Sequence, residues 1–376
     1  MKPDVFIIAD NILSPLGKTT AENFEQLKNN VSGIKRYERE TISATPFFAS
    51  LFDDGIQFLQ SGDEYTKFEQ LLIASIDNAL SGSDIDPKDE NTILIISSTK
   101  GNIGLLETQE NSPALQKRIA MSTSAKLIAD YFGFKNQPII ISNACVSGVM
   151  AILTGMRLLR AGQFENAVIA GADVISKFIV SGFQSFQALS PAICRPFDKN
   201  RNGLNLGEGA ATIILSTRQK FGGNLKVKGG AVSNDANHIS GPSRTGEELA
   251  HAVQHAMKDA GLTATDIDFI SAHGTATVYN DEMEANALAL AGLQSAPLNS
   301  LKGYYGHTLG AAGLIESVIS VQSLKEGVVI PTLGFDENGV SSAVNVFASP
   351  LKIDANNFIK TASGFGGCNA AVVIGK

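Results

Sequence analysis

The sequence predicts an α/β fold made of two related halves, and three observations carry that prediction. Short runs rich in Val and Ile alternate with longer runs of helical period, and three fragments recur in the same order later in the chain. Glycine, at 36 of 376 residues, exceeds the usual share of about 7%, as many tight turns and close backbone approaches require.

The elements follow in order. DVFIIA (4–9) is a first strand whose apolar run stops at acidic Asp10; AENFEQLKNN (21–30) and KFEQLLIASIDNAL (67–80) read as helices, with TILIIS (92–97) as the next strand. Further strands are expected at QPIIIS (137–142), NAVIAGAD (166–173), ATIILS (211–216), IDFISAH (267–273), NVFAS (345–349) and AAVVIG (370–375). Their lack of apolar–polar alternation indicates burial on both faces.

The repeats organise the chain. Cys145 opens CVSGVMAILTGMRLLRAG, and 162 residues later His307 opens HTLGAAGLIESVISVQSLKEG; each has Gly at the third following position, then a helix-like run ending in a basic residue and glycine. LGEGAATIIL (206–215) parallels FGGCNAAVVI (365–374), and ILIISSTKG more weakly echoes DFISAHGTA. One such pair is what chance gives in glycine-rich sequence; three in order favour duplication. TRQKFGGNLK (217–226) fits the junction, dividing the chain into halves 1–220 and 221–376. Packed face to face, the halves would bring Cys145 and His307 together at a pseudo-twofold axis.

Composition narrows the class. With 44% hydrophobic and 18% charged residues the chain can bury a large core, and a net charge of −7 argues against a broad nucleic-acid footprint. No apolar run approaches the roughly 18 residues of a membrane span, and the N-terminus reads as a strand rather than a signal peptide, so a cytoplasmic location is expected. Three scattered cysteines, Cys145, Cys194 and Cys368, read as reduced thiols without metal-binding spacing, and no metal is expected.

A buried cysteine is ordinarily an inert small hydrophobe, so a reactive one needs partners. At a helix N-terminus Cys145 would have its thiolate favoured by the helix dipole and by free N–H groups. Of five histidines, His273 sits at the end of a predicted strand and His307 just before its helix, the places where active sites of α/β folds collect. His251 and His255 have i,i+4 spacing, but Ala252 stands where a metalloprotease needs Glu, so they read as a solvated helix face. His238 lies in a loop, and its spacing assigns it nothing.

These residues are recognisable. With SPLG (14–17), CRPFDKNRNGLNLGEGAA (194–211), HGTATVYNDEMEA (273–285), KGYYGHTLGAAG (302–313) and SGFGGCNAA (363–371), the chain resembles the β-ketoacyl-[acyl carrier protein] synthases, condensing enzymes of the thiolase superfamily. The resemblance implies a thiolase-like duplicated fold of five layers, α/β/α/β/α, with two pseudo-twofold-related halves. It also implies an acyl carrier protein as partner, a homodimer with a heterodimer as alternative, and neither nucleic acid nor membrane. No cofactor is tightly held; substrates ride on the carrier's phosphopantetheine arm.

By the same resemblance Cys145 is the acyl-accepting nucleophile, and His273 and His307 assist malonyl decarboxylation and stabilise the enolate. The backbone N–H groups of Cys145 and Phe365 serve the oxyanion, Phe365 gates the two reaction stages, and Lys302 pairs with Glu284 in support of the histidines. Thr275 and Thr277 contact the pantetheine arm. Lys117 and Arg118 are candidates for meeting an acidic carrier, against the simpler reading of solvated surface.

The chain departs from the family pattern at Tyr304, Tyr305, Cys368 and the stretch 142–146, and is abbreviated around 40–65 and 100–120. Those departures leave the acyl chain open between fatty-acid elongation and a polyketide or polyene pathway. The competing readings are a non-catalytic chain-length-factor subunit, a degradative thiolase and a cysteine hydrolase. The first usually lacks the nucleophile, the second uses a C-terminal CxGG that Cys368 does not match, and the third does not explain two histidines with duplicated landmarks.

Overall fold

The computed structural model describes residues 3–59, 64–219 and 223–376. In chain order it runs β1 (Phe6–Leu13), α1 (Thr20–Lys28), β2 (Lys35–Tyr37), β3 (Phe47–Ser50), α2 (Lys67–Ser81), β4 (Thr92–Ser97), α3 (Pro113–Ile119), α4 (Met121–Phe132), β5 (Ile139–Ile141), α5 (Ser147–Arg160), β6 (Asn166–Asp173), α6 (Lys177–Ser185), β7 (Leu206–Gly207) and β8 (Gly209–Ser216). It continues with β9 (Lys226–Asn234), α7 (Glu247–Ala260), β10 (Phe269–Ser271), α8 (Val278–Leu290), β11 (Pro297–Asn299), α9 (Lys302–Tyr305), α10 (Ala312–Glu326), β12 (Val328–Val329), β13 (Asn345–Val346), β14 (Leu351–Lys352), β15 (Asn357–Gly364) and β16 (Cys368–Gly375). Helices α1 and α2 start at Thr19 and Thr66, each closing a capping box with the glutamate three residues on.

Eleven strands join in the order β13-β11-β10-β15-β16-β9-β1-β8-β6-β4-β5. The two wings repeat one pattern. β1 and β8, then β8 and β6, pair antiparallel, followed by parallel β6–β4 and β4–β5. β9–β16 and β16–β15 are likewise antiparallel, and β15–β10 and β10–β11 parallel. All three sequence echoes fall on equivalent elements of the two wings: α5 with α10, β8 with β16, β4 with β10.

The wings touch at β1 and β9, where Phe6 faces Lys226, Ile7 N–H donates to Leu225 O (2.8 Å) and Val227 N–H to Val5 O (2.9 Å). About this seam they fold over α5, which lies against β4, β6, β9 and β16, and α10, which lies against β1, β8, β10 and β15. α2 and α4 cover the outer face of the first wing, α7 and α8 that of the second. The result is five layers, α/β/α/β/α.

A helix between two sheets must be apolar all round, and α10 buries even Glu316, Ser317, Ser320 and Ser323; the serines 317 and 320 donate back to the carbonyls of Gly313 and Glu316. The starts of α5 and α10 meet backbone to backbone. A Cβ on Gly148 would lie 2.8 Å from the Leu314 nitrogen, and one on Gly313 2.7 Å from that of Val149. Only glycine permits this approach.

The strands differ from expectation where polar residues or glycines interrupt them. β1 runs past Asp10 to Leu13, with a register shift between Ile7 and Ala9, because the Asp10 carboxylate meets Lys325 at 3.1 Å. β9 starts at Lys226, inside the expected junction, and its Gly229–Gly230 pair hid it. β15 contains Lys360, and NVFAS shortens to the two residues of β13. Residues 220–222 of the junction and 60–63 of the abbreviated 40–65 stretch lie outside the described residues.

Candidate active site

Cys145 stands just before α5 at the end of a tight elbow. Ala144 holds a left-handed φ of 43°, a conformation costing an alanine of order 1 kcal/mol or more. Ser147 fixes it: its Oγ donates to Ala144 O (2.6 Å) and accepts from Asn143 N–H (2.8 Å). The serine thus serves as the elbow's clamp as well as a small residue at the helix start.

His307 faces it across the axis. Its backbone N–H donates to Asn205 O (2.6 Å), its carbonyl accepts from Gly207 N–H (3.1 Å), and its Nε2 lies 3.0 Å from Cys145 Sγ. The His273 ring stands edge-on to that of His307 at 5.3 Å between centroids, and one ligating atom from each of the three residues lies within 4.8 Å of the others.

The support behind the histidines is charged and buried. Glu284 accepts from the backbone N–H groups of His273 (2.9 Å) and Gly274 (2.7 Å) and from Thr361 Oγ1 (2.5 Å). Lys302 donates to His273 O at 3.0 Å and forms its ion pair with Glu316 of α10. The expected Lys302–Glu284 pair is therefore corrected: Glu284 is engaged in holding the His273 turn, and Glu316 reaches Lys302 from the facing helix. Lys360 Nζ meets the other Glu316 oxygen at 2.6 Å and donates to Ser271 O (3.1 Å) and Ala272 O (2.9 Å). Sequence reasoning missed Glu316 and Lys360. Their signal was a single charge inside an otherwise apolar run, IESVIS and FIKTA, which a buried ion pair explains.

Burial, assisted by Lys302, pushes both imidazoles well below 6.5, so each is neutral at pH 7 with one N–H to donate. Burial also pushes the Cys145 thiol up to about 12, opposite to the thiolate expected from the helix terminus. A helix end supplies at most about 2 kcal/mol, worth roughly 1.5 pH units. That is too little to offset the burial, which favours thiol over thiolate at rest.

Cys145, His273, His307, Thr275, Thr277 and Phe365 all line one cavity of about 670 Å³. The Thr275 and Thr277 hydroxyls are 2.9 Å apart on its wall. Phe365 is 39% exposed and packs on Phe183 (5.9 Å, stacked) and Phe186 (5.3 Å, edge-on). A Cβ on the preceding Gly364 would lie 3.0 Å from both Cys145 N and Cys368 Sγ, so this turn comes right up to the Cys145 amide. Cys368 donates from its thiol to Phe365 O at 3.3 Å. Lys302 and Glu284 sit behind the wall.

Other expected positions resolve differently. Arg118 makes a two-pronged pair with buried Glu69, both contacts 2.5 Å; Lys117 is exposed. Tyr304 and Tyr305 are buried core, and the Tyr304 hydroxyl donates to Asn30 (3.1 Å). His251 and His255 are exposed and stacked on each other at 6.0 Å. Among the described residues no helix is long and apolar enough to cross a membrane.

Comparison with known proteins gives the arrangement its relatives. Residues 2–220 match the family model "Beta-ketoacyl synthase, N-terminal domain" and residues 225–336 "Beta-ketoacyl synthase, C-terminal domain". The chain is 31% identical to a 3-oxoacyl-[acyl-carrier-protein] synthase 2 of Vibrio cholerae over 99% of each chain, and 30% identical to that of Vibrio harveyi over 100% of this chain and 99% of the relative. Among solved structures, the ishigamide ketosynthase/chain length factor superposes with a TM-score of 0.92 over all of both chains at 24% identity. A beta-ketoacyl synthase from Burkholderia phymatum reaches 0.89 over 100% of this chain and 99% of its own, also at 24%.

Proposed function

The chain belongs to the β-ketoacyl synthase family and is a condensing acyltransferase, and from that premise we propose how its own residues carry the reaction. The observation that supports the reading is the 3.0 Å approach of His307 Nε2 to Cys145 Sγ on the floor of a cavity shared with His273. The Cys145 sulfur takes the acyl group from an acyl carrier protein as the carrier's thioester breaks, its thiol proton passing through His307 to the departing carrier thiolate. Because burial keeps both imidazoles neutral, this transfer starts from thiol and free base rather than from a standing ion pair.

Malonyl carrier then enters along Thr275 and Thr277. Once Cys145 is acylated, His307 exchanges tautomer through cavity water so that its proton sits on Nε2, and the N–H groups of His273 and His307 donate to the malonyl thioester oxygen as carbon dioxide leaves and the enolate forms. The enolate carbon attacks the acyl-cysteine carbonyl, whose oxyanion takes the backbone N–H groups of Cys145 and Phe365. Collapse releases the β-ketoacyl carrier and Cys145 thiolate, which regains a proton from solvent. Phe365, on its glycine turn against Phe183 and Phe186, gates the passage between the two stages.

The functional division is 1–220, carrying the nucleophile, and 221–376, carrying the two histidines. A homodimer is supported by β5, whose three half-buried isoleucines end the sheet at an open edge. Three unpaired cysteines suit a reducing, cytoplasmic setting.

The test is incubation with acylated carrier and malonyl carrier, read by mass spectrometry. Acyl-Cys145 and a β-keto product two carbons longer are expected, and Cys145→Ser should lose at least about a thousandfold in condensation. Full condensation by that variant would refute the assignment of the nucleophile. A chain-length-factor role would show as neither acylation nor decarboxylation by the chain alone.

A further inference from the structure

A thiol and two imidazoles have converged where spacing in sequence suggested no metal. We propose that Cys145, His273 and His307 form a three-ligand site for a thiophilic divalent cation of the zinc type, which reversibly blocks the nucleophile. The cation is a regulator or poison of the site rather than a cofactor of the reaction.

Distances carry the inference. Tetrahedral zinc, with bonds of about 2.3 Å to sulfur and 2.0–2.1 Å to nitrogen, sets its ligand atoms about 3.4–3.6 Å apart. Here one atom from each side chain lies within 4.8 Å of the others, and the Cys145–His307 pair is at 3.0 Å. Opening one separation by about half an ångström and closing another by about one is within reach of side-chain rotation. The fourth position opens on the cavity that all three residues line, leaving room for water, as in three-ligand zinc sites.

The donor set suits the ion: one thiol and two imidazoles are the ligand types that zinc takes. Behind them the positive charges of Lys302 and Lys360 oppose a cation, and their ion pairs with Glu316 reduce that cost. Binding exchanges the thiol proton for a sulfur–metal bond and releases that proton to solvent, which the metal's own charge drives. The exposed His251–His255 pair is the competing site on this chain, but it offers two nitrogens and no sulfur.

Loss of condensation on metal binding rests on the reading of Cys145 as nucleophile; the binding itself does not. The experiment is titration of the metal-free full chain with Co²⁺ followed by displacement with Zn²⁺, without substrate. One equivalent should give a near-ultraviolet thiolate-to-cobalt band and visible bands of tetrahedral strength. Both should vanish in Cys145→Ala and in folded wild-type protein alkylated at Cys145. Affinity in His273→Ala and His307→Ala should fall by at least the roughly tenfold that an outer-shell change costs. Cys194→Ala, Cys368→Ala and the His251→Ala/His255→Ala double variant should keep the bands.

Absence of the thiolate band, its survival after alkylation, or its loss in the His251/His255 double variant would overturn the site. A protein that shows the Cys145-dependent band yet never condenses in metal-free buffer upholds the metal site and sinks the catalytic reading. One that condenses but shows no band does the reverse.

Discussion

The two helix starts that meet on the axis are equivalent in topology and opposite in support. Cys145 is held by neutral groups, a serine clamp on a strained alanine, and lies half-open to the cavity. His273 and His307 are almost fully buried, with two lysines and two glutamates tied behind them. On the proposed mechanism the group that forms and breaks bonds has the neutral, more open support, and the groups that donate and relay protons have the charged, buried one. Beside the axis a charge of the first wing reaches across: Asp173, at the end of β6, accepts from Ser98 Oγ (2.7 Å) and from Gly310 N–H (2.6 Å), anchoring the start of α10 to the first wing.

Removing support from each wing measures that asymmetry. Glu316→Ala leaves Lys302 and Lys360 buried without their counter-charge and is expected to cost about 3–5 kcal/mol in urea unfolding. Gly148→Ala forces the two helix starts apart and should cost about 1–3 kcal/mol, while lowering condensation about a hundredfold by moving Sγ from His307. Ser147→Ala, on the neutral side, should cost only about 1 kcal/mol. A Ser147→Ala loss equal to that of Glu316→Ala would break the comparison.

Two pH experiments sharpen it. Iodoacetamide alkylation of Cys145 in the resting chain should rise about tenfold per pH unit through pH 9, as a thiol pushed up to about 12 requires; a plateau near neutrality would mean a standing thiolate–imidazolium pair. The histidines give a smaller effect of defined sign. Their folded values lie well below 6.5, so below that pH the unfolded chain binds protons that the folded chain refuses. Stability should therefore fall as pH drops from 6.5, and His307→Gln should flatten that slope.

The legible parts of this molecule were those written in backbone-level pattern. The duplication was visible because Gly148 and Gly310 must be glycine at matched offsets from Cys145 and His307, and the Val/Ile strands because both faces are covered. What escaped were charges in apolar runs. Lys360 made β15 look broken and Glu316 marked no partner, since a buried ion pair is a property of two distant segments and neither one shows it alone. The Lys302–Glu284 pairing failed for the same reason, and the thiolate expectation because a helix terminus is visible in sequence whereas burial of the site is not.

The seam at β1 delays the pairing of its own strand during synthesis. Phe6 pairs with Ser216 on one side and Lys226 on the other, so β1 is made long before either of its partner strands. At about 5–20 residues per second that is a wait of roughly 10–40 s. During it an apolar segment, FIIADNIL, has both edges unpaired.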